Sequence, residues 1–375
     1  MKVLFLTTAH KYDDDRIFYH QALELIDRGF KVKICSLCSD FQGVLDGVEI
    51  ESYPILHKSS KHKTEAFVKV CNTYLPQCII ASEPLAVIAA GKFKENKNIS
   101  IIYDVTEWYP SFRMLDGYSA VLKMIHKIKF TLINLYAAYV STHFIFGEDS
   151  KKFPLTTVFP QKKTLMLPYY PDERYIHQNI KSPAANALKL CYTGRISKED
   201  GIGNFFSAVD ALRRLKPDLE ISILIIGAPK KETDKAYFAD LLHSYAFENV
   251  VIEKPVNFKT FSAALADVDI CFDLREKNEE YNLSLPIKIF YYIASGKPVI
   301  YTDLDAIKKH IDISKVGYLA DPENSAEIAR LIARYVDDPK LYDEHANNCV
   351  SLFENKYNWK LIRNSFADFI KTSSR

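Results

Sequence analysis

Short apolar runs alternate with amphipathic helical patterns along the whole of this chain, and this alternation limits the folds that it can adopt. Many of the runs are apolar throughout, as expected when helices cover both faces of a parallel sheet. The runs of the first half are residues 2–8, 30–37, 48–53, 78–81, 99–103, 143–146 and 164–167. The runs of the second half are residues 188–192, 221–226, 250–253, 269–274, 298–301 and 316–319. We therefore predict an α/β protein with two doubly wound, parallel sheets.

Each half of the chain restarts a strand–loop–helix unit, and 375 residues are too many for one small core. We predict an N-terminal domain over residues 1–170, a linker over residues 171–188 and a C-terminal domain over residues 189–358. The linker holds two prolines and several polar residues, with little helical periodicity. Doubly wound sheets bind ligands at the carboxyl ends of their strands, so we expect the two domains to face each other across a cleft.

The composition is that of an ordinary globular protein, with 48% apolar and 26% charged residues. A net charge of +2 gives no general reason to expect a nucleic acid partner. No apolar run is long enough to span a bilayer, and the first apolar run is too short for a secretion signal, so we expect a cytoplasmic location. The seven cysteines have no disulfide-framework or zinc-ligand spacing, which favours reduced thiols and no metal site.

The segment of residues 285–300 contains the clearest local signal. Pro286 stands where a helix begins, Gly296 stands just past its end, and a continuous apolar run follows. Lys288 lies near the positive end of this predicted helix, where an anion is favoured. The segment therefore combines a helix start with a cation that can meet a phosphate.

Residues 285–300 resemble the P-x-K-x-F-E-Y-x-A-x-G-x-P-V-I signature of the family 4 (group 1) glycosyltransferases, with Tyr291 in the place of the family's Glu. The resemblance implies transfer of a sugar from a nucleotide-sugar donor to an acceptor. It also implies the GT-B fold, with two Rossmann-like domains that face each other across a cleft. In that fold the final helix, here residues 359–375, crosses back onto the N-terminal acceptor-side domain, and the C-terminal domain binds the donor.

The first loop of the second half resembles the family's Gly-Arg-Leu pattern, which a Lys-Gly-Ile follows. Gly194 permits a tight turn, and Arg195 offers a fork that fits a phosphate, or alternatively forms a surface salt bridge. Gly201 either lets an anion approach the helix amides or serves a turn and close helix packing. The family's Lys is Asp200 here, a reversal of charge, and Lys198 is the nearest substitute.

Three more residues are donor-site candidates by the same resemblance. Lys288 matches the family's second phosphate ligand, with a solvated lysine as the alternative. The family has a pair of Glu residues, of which the first lies near the sugar and the second binds the ribose, and they correspond to Leu283 and Tyr291. Tyr291 would stack on the ribose or bond its hydroxyls. Glu280 would reach the sugar if its loop bends inward, and otherwise belongs to an exposed charged loop.

The loop that follows the first strand resembles the D-x-R-I pattern of family members with short first loops. Asp14, Arg16 and Ile17 match this pattern. At least one Asp of the loop is expected to cap the next helix, because carboxylates favour helix N-termini. The resemblance places His10, Asp14 and Arg16 on the acceptor side, where His10 or Arg16 would contact the acceptor or a donor phosphate.

Residues 103–110 resemble the family's D-x-H-E-x-Y-P pattern, again just after a predicted strand. Asp104 and Glu107 match, whereas Thr106 replaces the His that hydrogen-bonds the transferred sugar. A hydroxyl can still bond a sugar oxygen, but it carries no positive charge. These three residues are the catalytic candidates. Trp108 would stack on a sugar face on the acceptor side, or pack in the core.

Family members retain the configuration at the sugar carbon and are thought to need no protein nucleophile and no metal. The leaving diphosphate takes the proton of the acceptor, while the protein supplies positioning and electrostatic stabilisation. We therefore expect a nucleotide sugar as co-substrate, no cofactor and no metal. The resemblance implies a retaining glycosyltransferase that acts on a glycan or lipid-linked acceptor in surface polysaccharide or glycolipid assembly.

Two other functions stay open on the sequence alone. The departures from the family at Thr106, Asp200, Leu283 and Tyr291 are also expected of a non-catalytic partner protein that keeps the fold. A nucleotide-sugar epimerase on the same two-domain plan is the third alternative. That reaction needs carboxylates and histidines for proton transfer, and the sequence offers only His10 and Glu107 as candidates for these roles.

Residues 121–133 mix Lys123, Lys127 and Lys129 with large apolar side chains at helical spacing. Such a stretch suits peripheral contact with an anionic membrane, since each lysine contributes about 1 kcal/mol near such a surface. A core helix with a solvated lysine edge is the alternative. The first interpretation predicts a protein at the inner face of the membrane.

Overall fold

A computed structural model describes residues 1–95, 98–111, 114–115, 117–180 and 182–373. The chain divides into two compact units, the first of Met1–Tyr169 with Ile362–Arg375 and the second of Tyr170–Leu361. Residues 171–188, which the sequence analysis assigned to a linker, are part of the second unit. The last two residues of the predicted final helix, Ser374 and Arg375, lie outside the described residues.

The first unit is built on one eight-stranded sheet. Its strands are β1 Lys2–Thr7, β2 Lys31–Ser36, β3 Gln42–Leu45, β4 Val48–Glu51, β5 Cys78–Ala81, β6 Ser100–Val105, β7 His143–Phe146 and β8 Thr164–Met166. Their order in the sheet is β3-β4-β2-β1-β5-β6-β7-β8. All neighbours are parallel except β3 and β4, which pair antiparallel at one edge. The chain thus winds outward in both directions from β1, as in a Rossmann-like domain.

Helices cover this sheet, and the first of them begins at a carboxylate cap. The helical segments are a π-helix Asp15–Ala22, α1 Leu23–Asp27, α2 Ser60–Tyr74, α3 Pro84–Lys94, α4 Ala120–Val140, a 3₁₀ turn Asp149–Lys151 and α5 Leu155–Val158. Asp14 Oδ1 accepts hydrogen bonds from the backbone N–H groups of Arg16 and Ile17 at 3.0 and 3.1 Å. The expectation that an Asp of this loop caps the helix is confirmed.

The second unit is built on a six-stranded, fully parallel sheet. Its strands are β9 Ala187–Arg195, β10 Glu220–Ala228, β11 Val250–Glu253, β12 Ile270–Asp273, β13 Val299–Thr302 and β14 Gly317–Ala320. Their order is β11-β10-β9-β12-β13-β14, so the chain again winds outward in both directions from its first strand. The predicted fold class, two doubly wound α/β units, is confirmed.

The helices of the second unit lie between these strands and after them. They are a 3₁₀ turn Glu173–Tyr175, α6 Ile202–Leu215, α7 Glu232–Tyr245, α8 Phe258–Ala264, α9 Glu279–Leu283, α10 Lys288–Ala294, α11 Asp305–His310, a 3₁₀ turn Ile313–Lys315, α12 Ser325–Asp337 and α13 Pro339–Asn355. The last helix is α14, Trp359–Ser373, whose residues from Ile362 onward belong to the first unit.

The central strands are buried on both faces, which explains their unbroken apolar sequences. Every residue of β6, β12 and β13 is buried. Each apolar run of the sequence analysis corresponds to a strand, whereas β3 had no such signal because its residues are mostly exposed. None of the helices formed by the described residues is both long and apolar enough to cross a bilayer.

Candidate functional site

The carboxyl ends of β9 and β12 meet at one edge of the second sheet, next to the starts of α6 and α10. Gly194, near the end of β9, has φ of +114°, and Gly201, just before α6, has φ of +84°. A Cβ on Gly201 would lie 1.9 Å from the carbonyl oxygen of Leu274. Gly201 therefore serves close packing of the loop after β9 against the residue that follows β12.

Arg195 ends β9 and is paired with two carboxylates of its own loop. Its Nε donates to Asp200 Oδ2, and its Nη2 donates to Glu199 Oε2 at 3.1 Å. Asp200 also accepts from the hydroxyls of Ser197 at 2.6 Å and Tyr281 at 3.1 Å. Burial would raise the pKa of Asp200, but the hydrogen bonds from Ser197 and Arg195 hold it below its ordinary value. Arg195 is thus a fixed cation whose side chain remains 27% exposed.

Lys288, the first residue of α10, is held in a second ion cluster. Its Nζ lies 3.0 Å from Asp273 Oδ2 and donates to the carbonyl of Thr193 at 2.7 Å. Asp273 ends β12, is fully buried, and accepts from Arg275 Nε and Nη2 at 2.8 and 2.5 Å. Burial would raise the pKa of Asp273, but the charges of Arg275 and Lys288 lower it to about 2. The Arg275 guanidinium in turn lies 4.7 Å from the ring centroid of Tyr281.

Tyr281 therefore connects the two clusters. Its hydroxyl donates a hydrogen bond to Asp200, and the Arg275 guanidinium lies over its ring. Together they bring three cations, Arg195, Arg275 and Lys288, to the carboxyl ends of the strands, and each cation lies beside a carboxylate. Sequence reasoning found Arg195 and Lys288 but missed Asp273 and Arg275. The signal for the missed pair was an Asp at the end of a buried strand with an Arg two residues later.

The other donor-side candidates differ in their exposure to solvent. Lys198 is exposed, and Glu280 lies partly exposed in α9. Tyr291 is 7% exposed, and its ring packs edge-on against Phe261 at 5.7 Å between centroids. The Tyr291 ring therefore packs against α8 here, and its expected contact with the ribose stays a prediction.

In the first unit, two predicted site residues are buried against each other. Arg16 donates through Nε and Nη2 to the two carboxylate oxygens of Asp104, at 2.9 and 2.8 Å. Gln21 Nε2 donates to the same carboxylate at 2.8 Å, and Arg16 Nη1 donates to the carbonyl of Leu167 at 2.9 Å. Asp104 is fully buried and Arg16 is 4% exposed. Both side chains are therefore placed to position the loops around them, and neither faces solvent as the sequence analysis expected of a substrate contact.

His10 lies in the loop that follows the carboxyl end of β1, between two carboxylates. Its Nδ1 is 2.9 Å from Asp14 Oδ2, and its Nε2 is 3.9 Å from Glu83 Oε1. Burial would lower the pKa of His10, but the hydrogen bond to Asp14 and the charges of Asp14 and Glu83 raise it to about 9. His10 is therefore a cation at neutral pH.

Glu83 is a site residue that sequence reasoning missed. It is 4% exposed and accepts from the Thr7 hydroxyl at 2.8 Å and from the N–H groups of Thr8 and Ala9 at 2.9 and 3.0 Å. Burial raises the pKa of this carboxyl. Its sequence signal was an acid between a buried strand and Pro84, the first residue of α3. Glu83 thus fixes the loop that carries His10.

The side chains of the segment after β6 differ in their exposure to solvent. Thr106 is 4% exposed and donates to the carbonyl of Ser82 at 3.3 Å. Glu107 is exposed, and Trp108 is partly buried against the core of the first unit. Of the three catalytic candidates, only Glu107 is therefore open to solvent. No group of three or more His, Cys, Asp or Glu side chains among the described residues is arranged to hold a metal ion.

Comparison with known proteins gives a family for part of the chain. Residues 187–338 match the profile of the family described as glycosyl transferases group 1. One curated relative is the alpha-D-kanosaminyltransferase of Streptomyces kanamyceticus, 25% identical over 168 residues, which are 45% of this chain and 41% of the relative. The chain spans less than half the length of the curated relatives it matches.

Solved structures match over nearly the whole chain at low sequence identity. Sucrose-phosphate synthase from Thermosynechococcus elongatus has a TM-score of 0.72 at 13% identity and covers 99% of both chains. Anabaena HepE, in complex with UDP and glucose, has a TM-score of 0.72 at 14% identity and covers 99% of this chain and 100% of its own. The two parallel-sheet units thus have the fold of the GT-B glycosyltransferases.

Proposed function

We propose that this protein transfers a sugar from a nucleotide-sugar donor to a glycan or lipid-linked acceptor, since its residues 187–338 match the group 1 glycosyltransferase profile. The observation that carries the proposal is the set of three cations at the carboxyl edge of the second sheet. Arg195, Arg275 and Lys288 meet there beside the tight turn at Gly194. Ligands of doubly wound sheets bind at this edge.

The turn at Gly194 brings the loop of Arg195 and the ammonium of Lys288 side by side. A Cβ on Gly194 would lie 3.3 Å from Lys288 Nζ, so a side chain there would crowd the ammonium. A donor diphosphate over this turn would meet the exposed part of the Arg195 fork and the Lys288 ammonium. The match to HepE, whose structure contains UDP and glucose, supports a nucleoside diphosphate sugar as donor.

We propose that the reaction retains the configuration of the sugar and needs no metal. Arg195 and Lys288 stabilise the charge that develops on the leaving diphosphate, and fixed cations do this with little reorganisation. The leaving phosphate accepts the proton of the acceptor hydroxyl. Glu107 and Trp108, which are exposed and partly exposed, contact the acceptor in this proposal, and His10 supplies a positive charge on the acceptor side.

Replacing Arg195 with alanine should weaken the binding of uridine diphosphate by about 1.5–3 kcal/mol, the range for a hydrogen bond to a charged group. The expected loss reflects removal of the bidentate fork. Isothermal titration calorimetry on wild type and variant measures it. Arg214→Ala, a largely exposed cation of α6, is the matched control and should leave the affinity almost unchanged. Equal affinities of wild type and Arg195→Ala would remove Arg195 from the donor site.

One observation favours a non-catalytic protein as the second candidate. Each donor-side cation already has a carboxylate partner within the protein, and Tyr291 is buried where the family has a ribose-binding Glu. Such a protein would keep the fold and bind no donor. Thermal-shift screening against nucleotide sugars separates the two functions, because a ligand that binds the native state raises the melting temperature. The absence of any shift would favour the non-catalytic protein.

We propose further that α4 contacts an anionic membrane. Its 21 residues include three lysines and no acidic residue. The outward stripe of large apolar side chains consists of Val121, Ile125, Ile128, Leu132, Tyr136 and Tyr139, each at least 54% exposed. Apolar side chains edged by cations suit the interface of an anionic bilayer, and a lipid-linked acceptor would be presented there.

Charge reversal at Lys123, Lys127 and Lys129 should reduce co-sedimentation with vesicles that contain an anionic lipid. Each lysine contributes about 1 kcal/mol near such a surface, so the triple variant should lose most of its binding. Reversal of Lys230, Lys231 and Lys235 in the second unit changes the net charge equally and should have little effect. If both triple variants sediment like wild type, α4 is not a membrane contact.

A further inference from the structure

We infer that Asp200 sets the charge selectivity of the donor site by competing with the donor phosphates for Arg195. This inference rests on the proposed function, since it concerns the same nucleotide site. It assigns Asp200 as a specificity-determining residue that penalises ligands according to the number of phosphate charges they carry.

The Asp200 carboxylate occupies the Nε side of Arg195. The guanidinium donates there to Asp200 Oδ2, and its Nη2 is shared with Glu199 at 3.1 Å. A phosphate is also an anionic acceptor of the Arg fork, so it meets Arg195 with the Nε–H and one Nη2–H already in use. The phosphate must bind alongside the carboxylate or displace it.

The Asp200 side chain is held in place by several hydrogen bonds. Its two oxygens accept from Arg195, from the Ser197 hydroxyl at 2.6 Å and from the Tyr281 hydroxyl at 3.1 Å. Its backbone N–H donates to the same Ser197 hydroxyl at 3.1 Å. Tyr281 is itself buried and is covered by the Arg275 guanidinium. Displacement would break three hydrogen bonds, so the carboxylate stays in place when a ligand arrives.

A phosphate on Arg195 would also lie close to the Asp200 charge, which water screens only weakly. A phosphate bound to the Arg195 fork lies within a few ångströms of the Asp200 carboxylate, whose side chain is only 12% exposed. Like charges at such a separation near a protein surface repel strongly enough to lower the affinity for a diphosphate about tenfold. A diphosphate carries more charge than a monophosphate, and a nucleoside carries none. The penalty therefore grows along this series.

The test compares uridine, uridine monophosphate and uridine diphosphate in calorimetric titrations of the full chain. The variant Asp200→Asn keeps the shape and one oxygen acceptor for Arg195 but removes the charge. We expect it to bind uridine diphosphate about tenfold more tightly than wild type, uridine monophosphate with a smaller gain, and uridine with no change. Glu199→Gln, on the more exposed partner of Arg195, should give a smaller gain in the same order.

Two controls separate the local effect from general charge effects. Asp210→Asn removes an equal charge from α6, where the carboxylate pairs with Arg213 at 2.6 Å and Arg214 at 3.0 Å. It should leave all three affinities unchanged. In the Arg195→Gln variant, the gain in affinity from Asp200→Asn should be smaller. The guanidinium for which the carboxylate and the phosphate compete is then absent.

The outcomes distinguish this inference from the proposed function. If wild type binds uridine diphosphate and neither Asp200→Asn nor Glu199→Gln binds it more tightly, the inference is wrong and the donor site stands. An equal gain for mono- and diphosphate would overturn the charge selectivity. If neither wild type nor Asp200→Asn binds uridine, adenosine or guanosine diphosphate, the inference and the proposed function both fail.

Discussion

Asp104→Ala should lower the free energy of unfolding of the first unit by about 3–5 kcal/mol, the cost of breaking a buried ion pair on one side. The variant leaves the Arg16 guanidinium, which is 4% exposed, without its bidentate partner. It also removes the acceptor of the Gln21 amide. Urea denaturation, followed by circular dichroism, measures the change, and hydrogen exchange of β1 and β6 assigns it to the first unit.

The matched variants test whether the loss comes from the unpaired charge. The double variant Arg16→Met with Asp104→Leu removes both charges at similar volume and should recover most of the stability. Glu65→Ala breaks a largely exposed ion pair with Lys61 in the same unit and should change stability little. A loss in Asp104→Ala no larger than in Glu65→Ala would contradict the buried-pair account.

Asp273→Ala should destabilise the second unit by a similar amount, about 3–5 kcal/mol. It leaves two cations, Arg275 and Lys288, without the fully buried carboxylate that they share. Arg275 stays charged at any accessible pH, whereas Lys288 can lose its proton. Burial already lowers the pKa of Lys288, despite the opposing charge of Asp273. The same denaturation measurement, with hydrogen exchange of β9 and β12, detects the loss.

The pH dependence of Asp273→Ala has a definite sign. Without Asp273 the folded state binds a proton at Lys288 less readily than the unfolded state does. Stability then rises with pH wherever the unfolded state holds more protons. The loss should therefore be smaller at alkaline pH than at neutral pH. Asp337→Ala, at an exposed pair with Lys216, serves as control. A loss in Asp273→Ala that grows with pH would show that Lys288 is not the group responsible.

The fold was predictable because parallel strands that are buried on both faces have unbroken apolar sequences. β12 and β13 show this most clearly, since every residue in them is buried. β3 was missed for the opposite reason. It lies at the sheet edge, pairs antiparallel with β4 and exposes most of its side chains, so it carries no apolar run.

The site was predictable only in part, because sequence gives positions along the chain and not partners across the sheet. Arg195 and Lys288 were found from their places at a strand end and a helix start. The carboxylate that holds Lys288 was not, since Asp273 at the end of β12 meets the first residue of α10 only in the folded unit. Arg16 and Asp104 are 88 positions apart in sequence, and nothing in either local pattern indicates that they form a buried pair.

The return of the chain to the first unit has a consequence for how the protein is made. Residues 362–373 contribute the fully buried Phe366 and Ile370 to the first unit, and Arg363 Nε lies 3.9 Å from the buried Glu24. A ribosome produces these residues only after the whole of Tyr170–Leu361. During synthesis the first unit therefore has an uncovered apolar surface until the second unit and the final helix have been made. A fragment that stops at residue 169 would keep that surface open permanently, so we expect it to need a chaperone or to aggregate.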